Sequence, residues 1–192
     1  ISSIGDTTVV SNKWMLGTRN SFFIGTIATL LATALGTVAA LGLSRPHMPF
    51  KAVLMAILIS PMIVPLIITA AGMFFFYSKI GLTHTYLGLI LAHTALGTPF
   101  VVITVTATLT GFDTNLIRAS QSLGADTMRT FFKVIMPLIL PGVISGGLFA
   151  FITSFDEVVI VMFVGSVEQI TIPKQMWAGL RQETSPVILC MA

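Results

Sequence analysis

Long apolar runs, nearly empty of charged residues, constrain the fold of this chain more than any other feature. They cover about residues 20–43, 50–77, 86–109 and 138–164. A helix needs about 20 apolar residues to cross a bilayer. Only 9% of the 192 residues are charged, whereas soluble domains carry roughly 25%. The sequence therefore predicts an all-α, polytopic membrane helix bundle, with residues 1–192 forming a single transmembrane domain.

The ends of the sequence predict further membrane segments outside it. The chain does not begin with Met, and residues 186–192 read as the start of another span at about residue 186. We therefore expect flanking spans on both sides in the intact protein. A formal charge of +3 without a basic block gives no indication of nucleic-acid binding.

The second apolar run contains Pro61 and Pro65. Each proline removes a backbone donor, so this helix is expected to kink or break. A broken span is tolerated where protein or a water-filled cavity covers the freed carbonyl groups. Pro61 and Pro65 are thus candidates for the wall of a substrate pathway, although a bent packing helix would give the same pattern. A second break is expected at residues 97–99 of the third run, close to His93, which we expect to be an interior, hydrogen-bonded histidine.

The fourth run contains two adjacent acidic residues, Asp156 and Glu157, after Phe155. A charge near the middle of a bilayer costs on the order of 2.5–3.5 kcal/mol on insertion scales. Neighbouring residues on a helix point about 100° apart, so we expect one carboxylate to line a pathway and the other to pair within the bundle. Residues 155–157 are our candidate for attracting a cationic or amine-bearing solute. A structural ion pair, or hydrogen bonds to a neighbouring span, is the alternative.

A polar segment, residues 111–137, separates the third and fourth runs. Asp and Asn side chains in 112–115 can cap a short helix over about residues 116–123. Gly124 follows where a left-handed C-terminal cap is needed. Local chemistry is also compatible with an ordinary polar connector.

A second short helix should follow that glycine. Asp126 or Thr127 can cap its start, and Pro137 is expected to end it. Its apolar residues recur at helical spacing: Met128, Phe131, Phe132 and Ile135.

This segment resembles the cytoplasmic coupling loop of ABC importer permeases, in which Glu-Ala-Ala precedes a Gly and, further on, Ile-x-Leu-Pro. Arg118 stands here where that family has Glu, and Ser120 where it has the second Ala. The resemblance implies that residues 111–137 are cytoplasmic and include a short helix that docks into an ATPase subunit. The positions that would carry this coupling are Arg118, Ala119, Ser120, Leu123, Gly124, Ala125, Asp126 and Pro137.

Beyond this loop, residues 60–65, 98–105, 136–142 and 154–159 resemble permease subunits of the spermidine/putrescine type of ABC importer. The resemblance implies the type I importer permease fold (MetI-like), in the bacterial inner membrane. It also implies two ATPase subunits that bind ATP and Mg, a second permease subunit of different sequence, and a solute-binding protein. Leu66 stands where polyamine permeases often have an acidic residue, so opines, amino acids or other small solutes stay open as cargo beside polyamines.

Other function classes are weighed against this one. The sequence has no Gly-x-x-x-x-Gly-Lys-Ser/Thr phosphate loop, so we expect no enzyme activity and no cofactor or metal in this chain itself. An ATP-independent secondary transporter or channel would explain the broken helix and the acidic pair, but not the coupling pattern. Lys and Arg residues are balanced between the two sides, so the expected orientation depends on the resemblance.

Overall fold

The computed structural model describes residues 4–45, 47–111, 113 and 115–182, and every regular element among them is helical. The span expected to begin near residue 186 lies outside the described residues. In chain order the elements are α1 (Ile4–Leu43), α2 (Lys51–Ile63), α3 (Leu66–Ile80), α4 (Tyr86–Thr110), α5 (Asn115–Ser122), α6 (Thr127–Thr130), a π-helical turn (Phe131–Ile135), α7 (Met136–Asp156), α8 (Val159–Val164) and α9 (Ile172–Gln182).

Three helices in the described part are long and apolar enough to cross a membrane: Asn12–Leu43, Tyr86–Thr110 and Thr127–Asp156. They pack directly against one another, with α4 between α1 and α7. Small residues permit this close approach. A Cβ atom built on Gly97 of α4 would lie 2.9 Å from the Cβ of Ala150. Packing of this kind holds spans together in lipid, where no hydrophobic effect acts between them.

The second apolar run is broken, as the prolines predict. Its two halves, α2 and α3, meet at an angle of 104°. The break lies at Val64 and Pro65, which have extended backbone conformations, whereas Pro61 lies inside α2.

The predicted break at residues 97–99 is wrong, because α4 continues through Pro99. Pro99 is buried inside the bundle. The Thr98 hydroxyl donates to the carbonyl oxygen of Thr94 at 2.7 Å. Prolines are tolerated in membrane helices where neighbouring helices and threonine side chains surround the altered backbone.

Pro137 does not end a helix either. The helix that begins at Thr127 passes through the π-helical turn, in which the N–H of Met136 bonds to the carbonyl oxygen of Phe131, and continues as α7. Proline has no N–H to donate, and the change from α to π hydrogen bonding occurs in the turn just before it. Single π turns of this kind occur inside otherwise regular helices.

The fourth run is not one helix over residues 138–164. It divides into α7, which ends at Asp156, and the short α8, which begins at Val159. Glu157 has an extended backbone at this junction. The acidic pair therefore lies at a helix break and not within a regular span.

The two ends of the bundle are distinct. At one end, which we name the coupling end, Leu41 of α1, Ser44 and Arg45 just after α1, and several residues between 117 and 135 line a common cavity. At the opposite end the Asn20 amide donates to the carbonyl oxygen of Ile170 at 2.9 Å, and the Tyr86 hydroxyl donates to Asn20 at 3.2 Å. The loop after α1 and the predicted coupling segment thus share one side.

Candidate functional site

The coupling helix, α5, begins at a capping aspartate. Oδ1 of Asp113 accepts the backbone N–H of Asn115 at 2.9 Å. The helix covers Asn115–Ser122, which confirms the short helix predicted over residues 116–123 to within one residue at each end. Arg118 and Ala119 lie on its exposed side, and Leu123, the residue after it, is 88% exposed.

Gly124 ends this helix with a left-handed backbone, φ 80°. The N–H of Ala125 bonds to the carbonyl oxygen of Ser120 at 3.1 Å, and that of Gly124 bonds to Gln121 at 2.9 Å. This pair of hydrogen bonds is the Schellman motif. It confirms the left-handed cap predicted from the glycine and fixes the direction in which the chain leaves α5.

Asp126, and not Thr127, caps the next helix, because its Oδ1 accepts the N–H of Arg129 at 2.9 Å. Helix α6 then turns back on α5. The hydroxyl oxygens of Ser120 and Thr130 lie 2.9 Å apart, and Thr130 is buried. Ser120 therefore points back towards the bundle, while Arg118 and Leu123 remain exposed. The coupling helix is thus fixed at its C-terminal end by the Gly124 cap and on its bundle-facing side by the contact between Ser120 and Thr130.

The two helix breaks face each other across a cavity of about 360 Å³. Pro61, Pro65 and Leu66 line it from the break between α2 and α3, and Thr153 and Glu157 line it from the end of α7. The structure therefore brings together three of the residues predicted for a pathway: Pro61, Pro65 and Glu157.

A second cavity, of about 340 Å³, adjoins the first and shares Leu66, Thr153 and Glu157 with it. Asp156 lines this second cavity. We name the two together the break cavity. Sequence reasoning missed Thr153, which lies in the last turn of α7 and lines both cavities.

The two acidic residues have different surroundings. Asp156 is exposed, whereas Glu157 is only 7% exposed. Oε1 of Glu157 accepts the backbone N–H of Ile160 at 2.9 Å. Glu157 therefore caps α8 while it borders the break cavity. Asp156 also lines the break cavity but is exposed.

Phe155 lies apart from the break cavity. Its ring stacks on that of Phe151, with centroids 5.5 Å apart, and meets that of Phe22 edge-on at 5.3 Å. This aromatic cluster packs α7 against α1. A role for Phe155 in the pathway stays a prediction.

His93 is an interior, hydrogen-bonded histidine, as expected. Its side chain is 2% exposed, and Nδ1 lies 2.8 Å from the hydroxyl oxygen of Ser154. The contact joins α4 to α7 one turn before the acidic pair, so it supports the position of the helix end that carries Asp156.

The family model described as "Binding-protein-dependent transport system inner membrane component" matches residues 7–192. The chain belongs to this family. Its members are membrane components of transport systems, so this chain is a multi-pass permease of the inner membrane and not an enzyme subunit.

Relatives within the family agree with this assignment. The chain is 31% identical over 173 residues to the spermidine/putrescine transport system permease protein PotC of Haemophilus influenzae, covering 90% of this chain and 67% of that protein. It is 31% identical over 183 residues to the putrescine transport system permease protein PotI of Escherichia coli, covering 87% and 63%. The chain thus spans about two thirds of the length of these curated relatives.

Solved structures show the same fold. An inward-facing structure of the MetNI methionine ABC transporter superposes with a TM-score of 0.76 at 19% identity, over 94% of this chain and 86% of that chain. A bacterial ABC transporter involved in the import of the acidic polysaccharide alginate gives a TM-score of 0.71 at 17% identity, over 93% and 63%. At these identities the likeness concerns the fold alone, and it confirms the MetI-like permease fold.

Proposed function

We propose that this chain forms half of the translocation pathway of an ATP-driven importer for a polyamine, and that it works by alternating access. The observation that carries the proposal is the break cavity, where Asp156 and Glu157 meet the broken second span. The relatives named for spermidine and putrescine support the choice of cargo.

The chemistry of the break cavity suits a flexible polyamine. Carboxylates attract ammonium groups, while the apolar surface of Pro65 and Leu66 can contact the methylene groups between them. Ionisable residues at membrane depth are costly and typically mark substrate pathways. The exposed Asp156 would meet an ammonium group first. Glu157 would cap the start of α8, and its charge would add to the attraction of the ammonium group.

The coupling segment suits docking onto an ATPase. Its exposed residues, Arg118, Ala119 and Leu123, would enter the groove of that subunit. The Schellman cap at Gly124 and the contact between Ser120 and Thr130 make α5 stiff enough to transmit a movement. The proposed complex has two ATPase subunits that bind ATP and Mg, a second permease chain of different sequence, and a solute-binding protein.

The test is uptake by the full complex in proteoliposomes, with putrescine, spermidine, an opine and a neutral amino acid as candidate solutes. We expect ATP-dependent polyamine uptake, and a KM raised about tenfold in Asp156→Asn, because a hydrogen bond between charged groups contributes roughly 1.5–3 kcal/mol. Glu168→Gln is the matched control, since Glu168 is an exposed acid that does not line the break cavity.

Glu157→Gln separates the pathway role from a structural one, because glutamine can still accept the N–H of Ile160. Reduced uptake by a complex that still assembles would support a role for Glu157 in the pathway. Failure of the complex to assemble would indicate a structural role. Uptake of an opine or amino acid instead would keep the importer and overturn the cargo. Uptake that does not require ATP and that persists in the Gly124→Pro variant would indicate an ATP-independent transporter.

A further inference from the structure

A separate cavity of about 380 Å³ lies at the coupling end of the bundle. Leu41 lies at the end of α1, Arg45 in the turn after it, and Leu109 at the end of α4. The coupling helix contributes Ile117 and Gln121 to the facing wall. This volume falls within the range of cavities that bind small ligands, roughly 300–1,000 Å³.

The wall of this cavity has the composition of an amphiphile site. Most of it is apolar, and Arg45 is the only charged residue among the described residues that line it. Arg45 lies two residues beyond the membrane-spanning part of α1, Asn12–Leu43. A residue at this position is expected at the level of lipid head groups, and Leu41 and Leu109 lie within the apolar spans themselves. Basic pockets between spans at the cytoplasmic side are typical binding sites for anionic head groups.

We propose that this cavity binds an anionic phospholipid from the leaflet at the coupling end. Its acidic head group pairs with Arg45, and the first part of one acyl chain lies between Leu41, Leu109 and Ile117. The volume excludes a whole lipid, so the remainder of the molecule extends into the bilayer. Arginine binds phosphate through two parallel hydrogen bonds, and the net negative charge of an anionic head group adds an attraction that the zwitterionic phosphatidylcholine head group lacks.

Because the cavity borders the coupling helix, a lipid bound in it would affect the coupling of ATP hydrolysis to uptake. Ile117 and Gln121 belong to α5, so a bound lipid restrains the position of the coupling helix relative to α1 and α4. Removing the lipid should leave ATP hydrolysis less tightly linked to uptake. This consequence depends on the proposed function, whereas the binding of lipid does not.

Retention of lipid by the purified complex tests the site. Native mass spectrometry would be carried out with dioleoylphosphatidylglycerol and dioleoylphosphatidylcholine. Arg45→Gln is expected to weaken retention of the anionic lipid about tenfold, since a charge-assisted hydrogen bond is lost. Lys51→Gln is the matched control, because Lys51 is an exposed cation at the same end that does not line the cavity.

A second pair of variants keeps the charge unchanged. Leu41→Trp places a larger side chain in the cavity and should abolish preferential retention. Leu35→Trp on the same helix should not, because Leu35 is 58% exposed on the lipid-facing side. Thermal unfolding of each variant shows that the complex remains folded.

Each outcome decides the proposal. Equal weakening by Arg45→Gln and Lys51→Gln would show diffuse surface attraction and overturn it. Unchanged retention in both Arg45→Gln and Leu41→Trp would overturn it as well. Displacement of the phospholipid by equimolar sodium oleate would indicate a fatty-acid site instead. If the wild-type complex takes up no polyamine but still retains the anionic lipid, the proposed function is contradicted and the lipid site is not.

Discussion

The hydroxyl oxygens of Ser120 and Thr130 lie 2.9 Å apart and join the coupling helix to the helix that follows it. Ser120 occupies a position at which the coupling pattern of ABC permeases has alanine, which cannot make this contact. The hydroxyl pair is therefore a tie that this chain adds to the Schellman cap at Gly124. It restrains the coupling helix from the side opposite its exposed face.

Replacing Ser120 by alanine should loosen α5 without unfolding the bundle. A neutral hydrogen bond contributes roughly 0.5–1.5 kcal/mol, so the α5 amides should exchange with solvent about fivefold faster. Hydrogen exchange measured by mass spectrometry checks this. Ser122→Ala is the control, because the Ser122 hydroxyl donates only within α5, to the carbonyl oxygen of Arg118. Equal exchange rates in the two variants would show that the tie contributes nothing.

Gly124→Ala should impair coupling through backbone strain. At φ 80° a side chain costs roughly 1–2 kcal/mol, and relief of that strain would turn α5 away from its present direction. Uptake should fall while the bundle stays folded. Gly111→Ala is the matched control at the other end of the segment, since Gly111 has φ −87° and an added Cβ would meet only the Thr108 carbonyl oxygen, at 4.0 Å. If both variants transport alike, the left-handed cap is dispensable.

The features that the sequence predicted correctly are those decided by a single residue. Proline at 65 and glycine at 124 impose a backbone geometry through their own covalent structure. The left-handed cap could therefore be predicted without knowledge of the neighbouring helices, whereas a proline marks only a position at which a membrane helix can break. The cap of the next helix needs only the first turn of that helix, and the sequence narrowed it to Asp126 or Thr127.

The features that were predicted wrongly depend on packing. Pro99 and Pro137 are the same residue type as Pro65, yet the helix continues through both. Pro99 is buried inside the bundle, and the π-helical turn precedes Pro137. The break after Asp156 depends on the Glu157 carboxylate, which replaces a helical hydrogen bond by capping α8. The burial of Pro99 depends on helices that are distant in sequence, whereas the π-helical turn and the Glu157 cap are local features that the spacing of apolar residues does not reveal.

Gly146→Ala should destabilise the bundle. A Cβ on Gly146 would lie 2.7 Å from the Cα of Val101 and would also contact the Thr104 hydroxyl, so α4 and α7 must move apart. Overpacking of this kind typically costs about 1–3 kcal/mol. Gly72→Ala is the control, because no atom lies within 4 Å of its added Cβ. Thermal unfolding in detergent should separate the two, and equal melting temperatures would contradict the close packing.

Lys174 should make the stability of the bundle depend on pH. Its ammonium donates to the carbonyl oxygen of Ser166 at 2.9 Å, and burial lowers the pKa of Lys174 below its ordinary 10.5. The folded state therefore binds this proton less tightly than the unfolded state does, and the free energy of unfolding rises as pH increases towards 10.5. Lys174→Met should flatten that rise at pH values below 10.5. Lys79→Met, an exposed lysine at the same end, should keep the wild-type slope. If both variants keep that slope, burial of Lys174 does not affect its protonation.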